Sequence, residues 1–172
     1  GMTSLEIAHN AYDKAWDFIE SFRETPQNIL LYGNTGVGKT YLTHCIAKEL
    51  LDRSYFVLYF TSFDFFDLLS RNAFQKDRES EEMASYIYDC DLLIIDDLGT
   101  ELTNSFVSSQ FFCCINERIM NKKATIISTN LTMEDFLETY SERTFSRVSS
   151  NYTMIKLIGN DIRIQKRLLG GK

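Results

Sequence analysis

Residues 28–40 read Asn-Ile-Leu-Leu-Tyr-Gly-Asn-Thr-Gly-Val-Gly-Lys-Thr, and the stretch from Gly33 to Thr40 decides the fold. It matches the pattern G-x-x-x-x-G-K-[ST] between a short apolar run, Asn28 to Tyr32, and a helical stretch, Lys39 to Leu51. Glycines at 33, 36 and 38 let the backbone curl so that successive amides converge on one point, and the helix N-terminus adds its positive dipole end there. Such a cradle suits nucleotide phosphates, with Lys39 reaching the β- and γ-phosphate oxygens and Thr40 offering its hydroxyl to Mg2+. Gly33, Asn34, Thr35, Gly36, Val37, Gly38, Lys39 and Thr40 are therefore the candidate ATP-binding residues. A chance glycine turn before a helix is the plain alternative, and the flanking strand and helix weigh against it.

Outward from the loop, apolar runs alternate with helical stretches. Leu5 to Phe22 sets Leu5, Ala8, Tyr12, Ala15, Trp16 and Ile19 three and four apart, which predicts an amphipathic helix buried along that face. Downstream, strands are predicted at Tyr55 to Phe60, Asp91 to Asp96, Ala124 to Ser128 and Met154 to Ile158. Helices are predicted at Ser62 to Ser70, Glu79 to Tyr88, Asn104 to Met120, Thr132 to Tyr140 and Arg143 to Ser149. Runs such as LLII and ATII carry apolar residues at successive positions, as strands covered on both faces require, so a mostly parallel α/β sheet is expected.

The chain has 172 residues, 44% of them hydrophobic, and one proline, which suits a single domain over residues 2–172. Gly1 ahead of Met2 reads as a cleavage scar, and the natural protein is expected to extend further toward its N-terminus. No run approaches the ~20 apolar residues of a membrane span, and a cytoplasmic location is expected. The four cysteines and two histidines show no metal-ligand spacing. Net charge is −6, yet residues 141–172 carry 7 Lys/Arg against 2 Asp/Glu. That basic tail suits either phosphate contact or plain solvation.

Hydrolysis needs a carboxylate for the metal and a group that orients water. Leu92-Leu-Ile-Ile-Asp96-Asp97 offers both: the buried run delivers Asp96 to the strand's C-terminal end, where it can hold Mg2+, and Asp97 can polarise the attacking water. Adjacent acids at a strand end also serve as caps or turn formers, and the nearby phosphate loop favours the catalytic reading. Asn130, closing Ser128-Thr129-Asn130, can bridge the γ-phosphate and the water, or only shape a turn. Arg143 and Arg147, four apart on one helix face, can reach a neighbouring subunit's γ-phosphate or remain solvated.

Four segments, LLYGNTGVGKTYL at 30–42, LLIIDDLGTE at 92–101, ISTNLT at 127–132 and ERTFSR at 142–147, together resemble the AAA+ ATPases of the bacterial helicase-loader and transposition-helper group, called DnaC/IstB-like. The resemblance spans roughly residues 10–165. It implies a P-loop NTPase three-layer sandwich with a five-stranded parallel sheet of order 5-1-4-3-2, little or no C-terminal lid, and ATP-dependent head-to-tail oligomers. It implies Asn130 as first sensor, Arg147 as arginine finger and, from Gly159-Asn-Asp-Ile-Arg163, Arg163 as second sensor. Its implied partners are a replicative helicase or a transposase, with single-stranded DNA. The N-terminal partner-binding domain of full-length loaders is missing here.

Three functions compete on these residues. A loader would assemble on a helicase or single-stranded DNA with ATP and release on hydrolysis. A nucleotide-gated adaptor or transposition helper would turn ATP over slowly, a reading prompted by Asp97 being one methylene shorter than a glutamate. A small-molecule kinase needs an arginine-rich lid, and Arg71 to Glu82 has two arginines among four acids.

Overall fold

The computed structural model describes residues 3–101 and 104–159. Twelve elements alternate along it: α1 (Ser4–Ser21), β1 (Asn28–Tyr32), α2 (Lys39–Asp52), β2 (Val57–Thr61), α3 (Ser62–Phe74), α4 (Arg78–Asp89), β3 (Leu92–Leu98), α5 (Ser105–Met120), β4 (Ala124–Thr129), α6 (Met133–Tyr140), α7 (Glu142–Asn151) and β5 (Tyr152–Lys156). All neighbouring strands pair parallel, in the order β2-β3-β4-β1-β5. This is the expected order read from the opposite edge.

The alternation of side chains along each strand splits the core in two. Leu30, Leu93, Ile95 and Ile127 face α3 through α7, meeting Phe65, Ile87, Phe111, Phe136 and Val148. Ile29, Leu31, Leu92, Ile94 and Ile126 face α1 and α2, meeting Ala15, Phe18, Ile46 and Leu50. Strands β3 and β4 are buried on both faces, which is why their sequences are continuous apolar runs.

One predicted face is wrong. In α1 the buried residues are Ala11, Ala15, Phe18 and Ile19, while Leu5 is 80%, Tyr12 54% and Trp16 36% exposed. The helix carries two overlapping apolar stripes, and the alanine-bearing one lets the backbone approach the sheet closely. Tyr12 and Trp16 instead pack edge to face with each other on the outer surface, 6.2 Å between ring centroids. Strand β5 also starts two residues earlier than expected, because Asn28 of β1 pairs with Tyr152. Strand β2 starts two residues later, at Val57 opposite Leu92; the Tyr55 amide is used closing α2, bonded to the Leu50 carbonyl at 3.0 Å.

Candidate functional site

Parallel pairing brings the C-terminal ends of β1, β3 and β4 side by side, and the candidate residues lie there. Strand β1 delivers Gly33 against the chain leaving β5. A Cβ on Gly33 would sit 2.0 Å from the Leu157 carbonyl oxygen, at a backbone φ of +146°, so only glycine allows the loop to begin there. Gly38, at φ 102°, turns the loop into α2 as its N-cap. Lys39 follows and is 4% exposed. Its Nζ donates to the carbonyls of Gly33 and Asn34, both at 2.7 Å, which places the ammonium inside the curl.

Asp96 ends the regular part of β3 and is 3% exposed. Its carboxylate is ringed by hydroxyls. Thr40 Oγ1 lies 3.0 Å from Oδ2 and 3.3 Å from Oδ1, Tyr59 donates to Oδ2 at 2.6 Å, and Ser128 donates to Oδ1. Burial, then the Asp96 contact, pushes the Tyr59 phenol well above its ordinary pKa, so it stays a neutral donor. Its ring packs against His44 at 4.7 Å.

Asp97 sits in a β-bulge. Ile95 pairs with Ile127 and Leu98 with Thr129, so β3 spends one more residue than β4 across this step. Asp97 takes up that residue at φ 56°, in the left-handed region that aspartate tolerates better than most side chains. The bend is held by the Asp97 amide donating to Ser128 Oγ at 2.9 Å, and by its carbonyl accepting from Ser62 Oγ and Thr100 Oγ1, both at 2.9 Å. Thus Ser128 touches both aspartates. Without the bulge, adjacent residues of a strand would point to opposite faces.

Asn130 is exposed and follows Thr129, which pairs in register with Tyr32 and with Leu98. It therefore emerges between the glycine loop and the aspartates. Thr129 fixes this corner, donating to the Leu98 carbonyl at 2.6 Å and accepting from the Leu131 amide at 3.1 Å. Arg143 and Arg147 are exposed on α7, the first with its guanidinium over the Phe112 ring at 4.5 Å. Arg163 lies outside the described residues.

Sequence reasoning missed two of the hydroxyls. Ser128 stood in a segment singled out for Asn130, but no spacing rule ties a serine on β4 to acids on β3. Tyr59 lay in an apolar run and reads there as an ordinary strand residue.

The donor set fits a nucleotide with a hard divalent cation. The curl holds an ammonium and a helix N-terminus for phosphates, and Thr40 and Asp96 offer adjacent oxygens to a cation. Among the described residues no group of three or more His, Cys, Asp or Glu converges as a metal site. Any Mg2+ would thus complete its shell with phosphate and water oxygens, as it commonly does. No helix among the described residues is long and apolar enough to cross a membrane.

The sequence profile described as IstB-like ATP binding protein matches residues 16–168. The replicative helicase loader DnaC of Escherichia coli strain K12 is 27% identical over 139 residues, covering 81% of this chain and 57% of the loader. The replicative helicase loader DnaI of Bacillus subtilis strain 168 is 30% identical over 132 residues, covering 74% of this chain and 42% of that protein. The chain thus spans about half the length of these relatives. A crystal structure of DnaI superposes with a TM-score of 0.78 at 23% identity, over 89% of this chain and 86% of that one, which establishes the shared P-loop AAA+ fold.

Proposed function

Because this chain belongs to the IstB-like ATP-binding protein family, we propose that it binds and hydrolyses MgATP and uses the cycle to assemble on, and release, a replicative helicase or single-stranded DNA. The observation that carries this reading is the contact of Thr40 with Asp96 at 3.0 Å beside a glycine loop whose lysine points into the curl. Lys39 and the loop amides hold the β- and γ-phosphates. Thr40 and Asp96 hold Mg2+, which when bound neutralises charge on the phosphate oxygens. Asp97 orients a water in line with the γ-phosphorus and takes its proton as the bond to the bridging oxygen breaks and ADP leaves. Asn130 contacts the γ-phosphate and that water. Arg147 reaches the γ-phosphate held by the next subunit, with Arg163 completing the site and Arg143 anchored on Phe112.

ATP turnover per subunit across a protein-concentration series, with and without single-stranded DNA, tests this. Specific activity should rise with concentration in wild type and stay flat and low in Arg147→Ala. Turnover that is independent of concentration and unaffected by the substitution would overturn the shared active site.

The short side chain of Asp97 favours a second reading, a transposition helper or nucleotide-gated adaptor that barely turns ATP over. Under it, Asp97→Asn would leave turnover unchanged and a transposase, rather than a helicase, would be retained in the presence of MgATP.

A further inference from the structure

The segment after the aspartates ties the nucleotide site to a distant corner. Gly99, at φ 101°, is pressed on Leu131, where a Cβ would lie 2.7 Å from the leucine Cγ. Its amide donates to Glu101 Oε2 at 2.9 Å. The other oxygen of the same carboxylate, Oε1, accepts from the Tyr140 hydroxyl. Tyr140 is fully buried, and its ring packs on Phe111 and Phe136 with centroids 4.9 and 5.1 Å away.

Tyr140 is the last residue of α6. Ser141 follows at φ 84° and its carbonyl accepts the Phe145 amide at 3.1 Å, opening α7. A bend at such an angle leaves little slack, so the placement of Tyr140 sets the departure of α7 and of the exposed arginines on it. At the other end, Thr100 is bonded to the Asp97 carbonyl at 2.9 Å. A shift of Asp97 is therefore passed through Gly99 and Thr100 to Glu101. The half-buried carboxylate makes both of its described bonds to groups on either side of this gap, and packed interiors move between discrete arrangements rather than deforming smoothly.

We propose that Glu101 and Tyr140 form a link through which occupancy of the nucleotide site sets the position of α7, and with it Arg147. Both are positioning residues. The inference rests on the nucleotide-binding reading above, but not on hydrolysis.

Hydrogen exchange of peptides covering residues 142–151 tests it in the whole chain, without nucleotide and with a non-hydrolysable ATP analogue plus Mg2+. Affinity for a fluorescent ATP analogue is measured in parallel. In wild type the analogue should slow exchange in α7 roughly fivefold, the worth of about one net hydrogen bond. Tyr140→Phe and Glu101→Ala should bind the analogue as wild type does and lose that difference, the second without disturbing the core. Glu101→Gln keeps an oxygen acceptor for the phenol and should restore most of it.

An α7 whose exchange ignores the analogue in wild type overturns the link. So do variants that exchange faster in both states while keeping the nucleotide-dependent difference, since the hydroxyl would then serve packing alone. Failure of wild type to bind the fluorescent analogue would instead show as lost affinity, overturning the nucleotide-binding reading and leaving the link no signal to carry.

Discussion

Asp96 and Arg118 are both charged and both buried, 3% and 0% exposed, at opposite ends of the same sheet. Asp96 lies at the C-terminal end of β3 among the hydroxyls of Thr40, Tyr59 and Ser128. Arg118, on α5, lies where β3 and β4 begin. Its guanidinium donates to the carbonyls of Ile87 at 2.6 Å, Ala124 at 2.7 Å and Cys90 at 3.2 Å, and its Nε to Thr125 Oγ1 at 2.9 Å. Ile87 belongs to the last turn of α4, so the cation also sits at the negative end of that helix. The difference is in the partners. Hydroxyls rotate and can give up a bond to a cation or water, whereas backbone carbonyls within packed elements cannot. Burial of a charge does not mark a functional site by itself; exchangeable partners do.

The comparison breaks most visibly at Arg118. Arg118→Leu strands several buried carbonyls and should cost about 4 kcal/mol of stability, lowering the melting temperature by about 8–16 °C. Thermal unfolding followed by circular dichroism reads this, and nucleotide affinity of the folded protein should be unchanged. A variant as stable as wild type would mean the cluster braces nothing.

Asp96→Asn should do the reverse. Turnover should fall about 10²–10³-fold, the usual worth of a preorganised charge at a reacting phosphate, with a much smaller change in melting temperature. Steady-state kinetics over a Mg2+ series checks it, and undiminished activity would remove Asp96 from the metal site.

Tyr59→Phe is the finest probe. It deletes one of the hydroxyls on Asp96, so half-maximal turnover should need roughly fivefold more or less Mg2+, while ATP affinity without metal holds. The sign tells whether the phenol orients the carboxylate for the cation or competes with it. No shift at all would make Tyr59 a packing residue.

Much of this molecule is legible in its residues taken in order. The glycine loop, Lys39 and Thr40 are adjacent in the chain, and the loop's backbone demands narrow the choice of residue so sharply that spacing alone reveals it. Strands β3 and β4 announce themselves because burial on both faces leaves no room for polar residues. Local patterns become ambiguous where the choice depends on what lies opposite. The two stripes of α1 are equally apolar in sequence, and only the sheet selects Ala11, Ala15 and Phe18 over Leu5, Tyr12 and Trp16.

The sequence by itself determined the phosphate cradle, the parallel α/β class and the delivery of Asp96 to a strand end, since each follows from neighbours within a dozen residues. Only the tertiary structure decided the bulge that redirects Asp97, the hydroxyls of Tyr59 and Ser128 on Asp96, and the bond from Glu101 to Tyr140. Those contacts join residues separated by 31 to 39 positions in the chain. Their geometry is set by strand register, and a serine or tyrosine in an apolar strand carries no mark of which acid it will face.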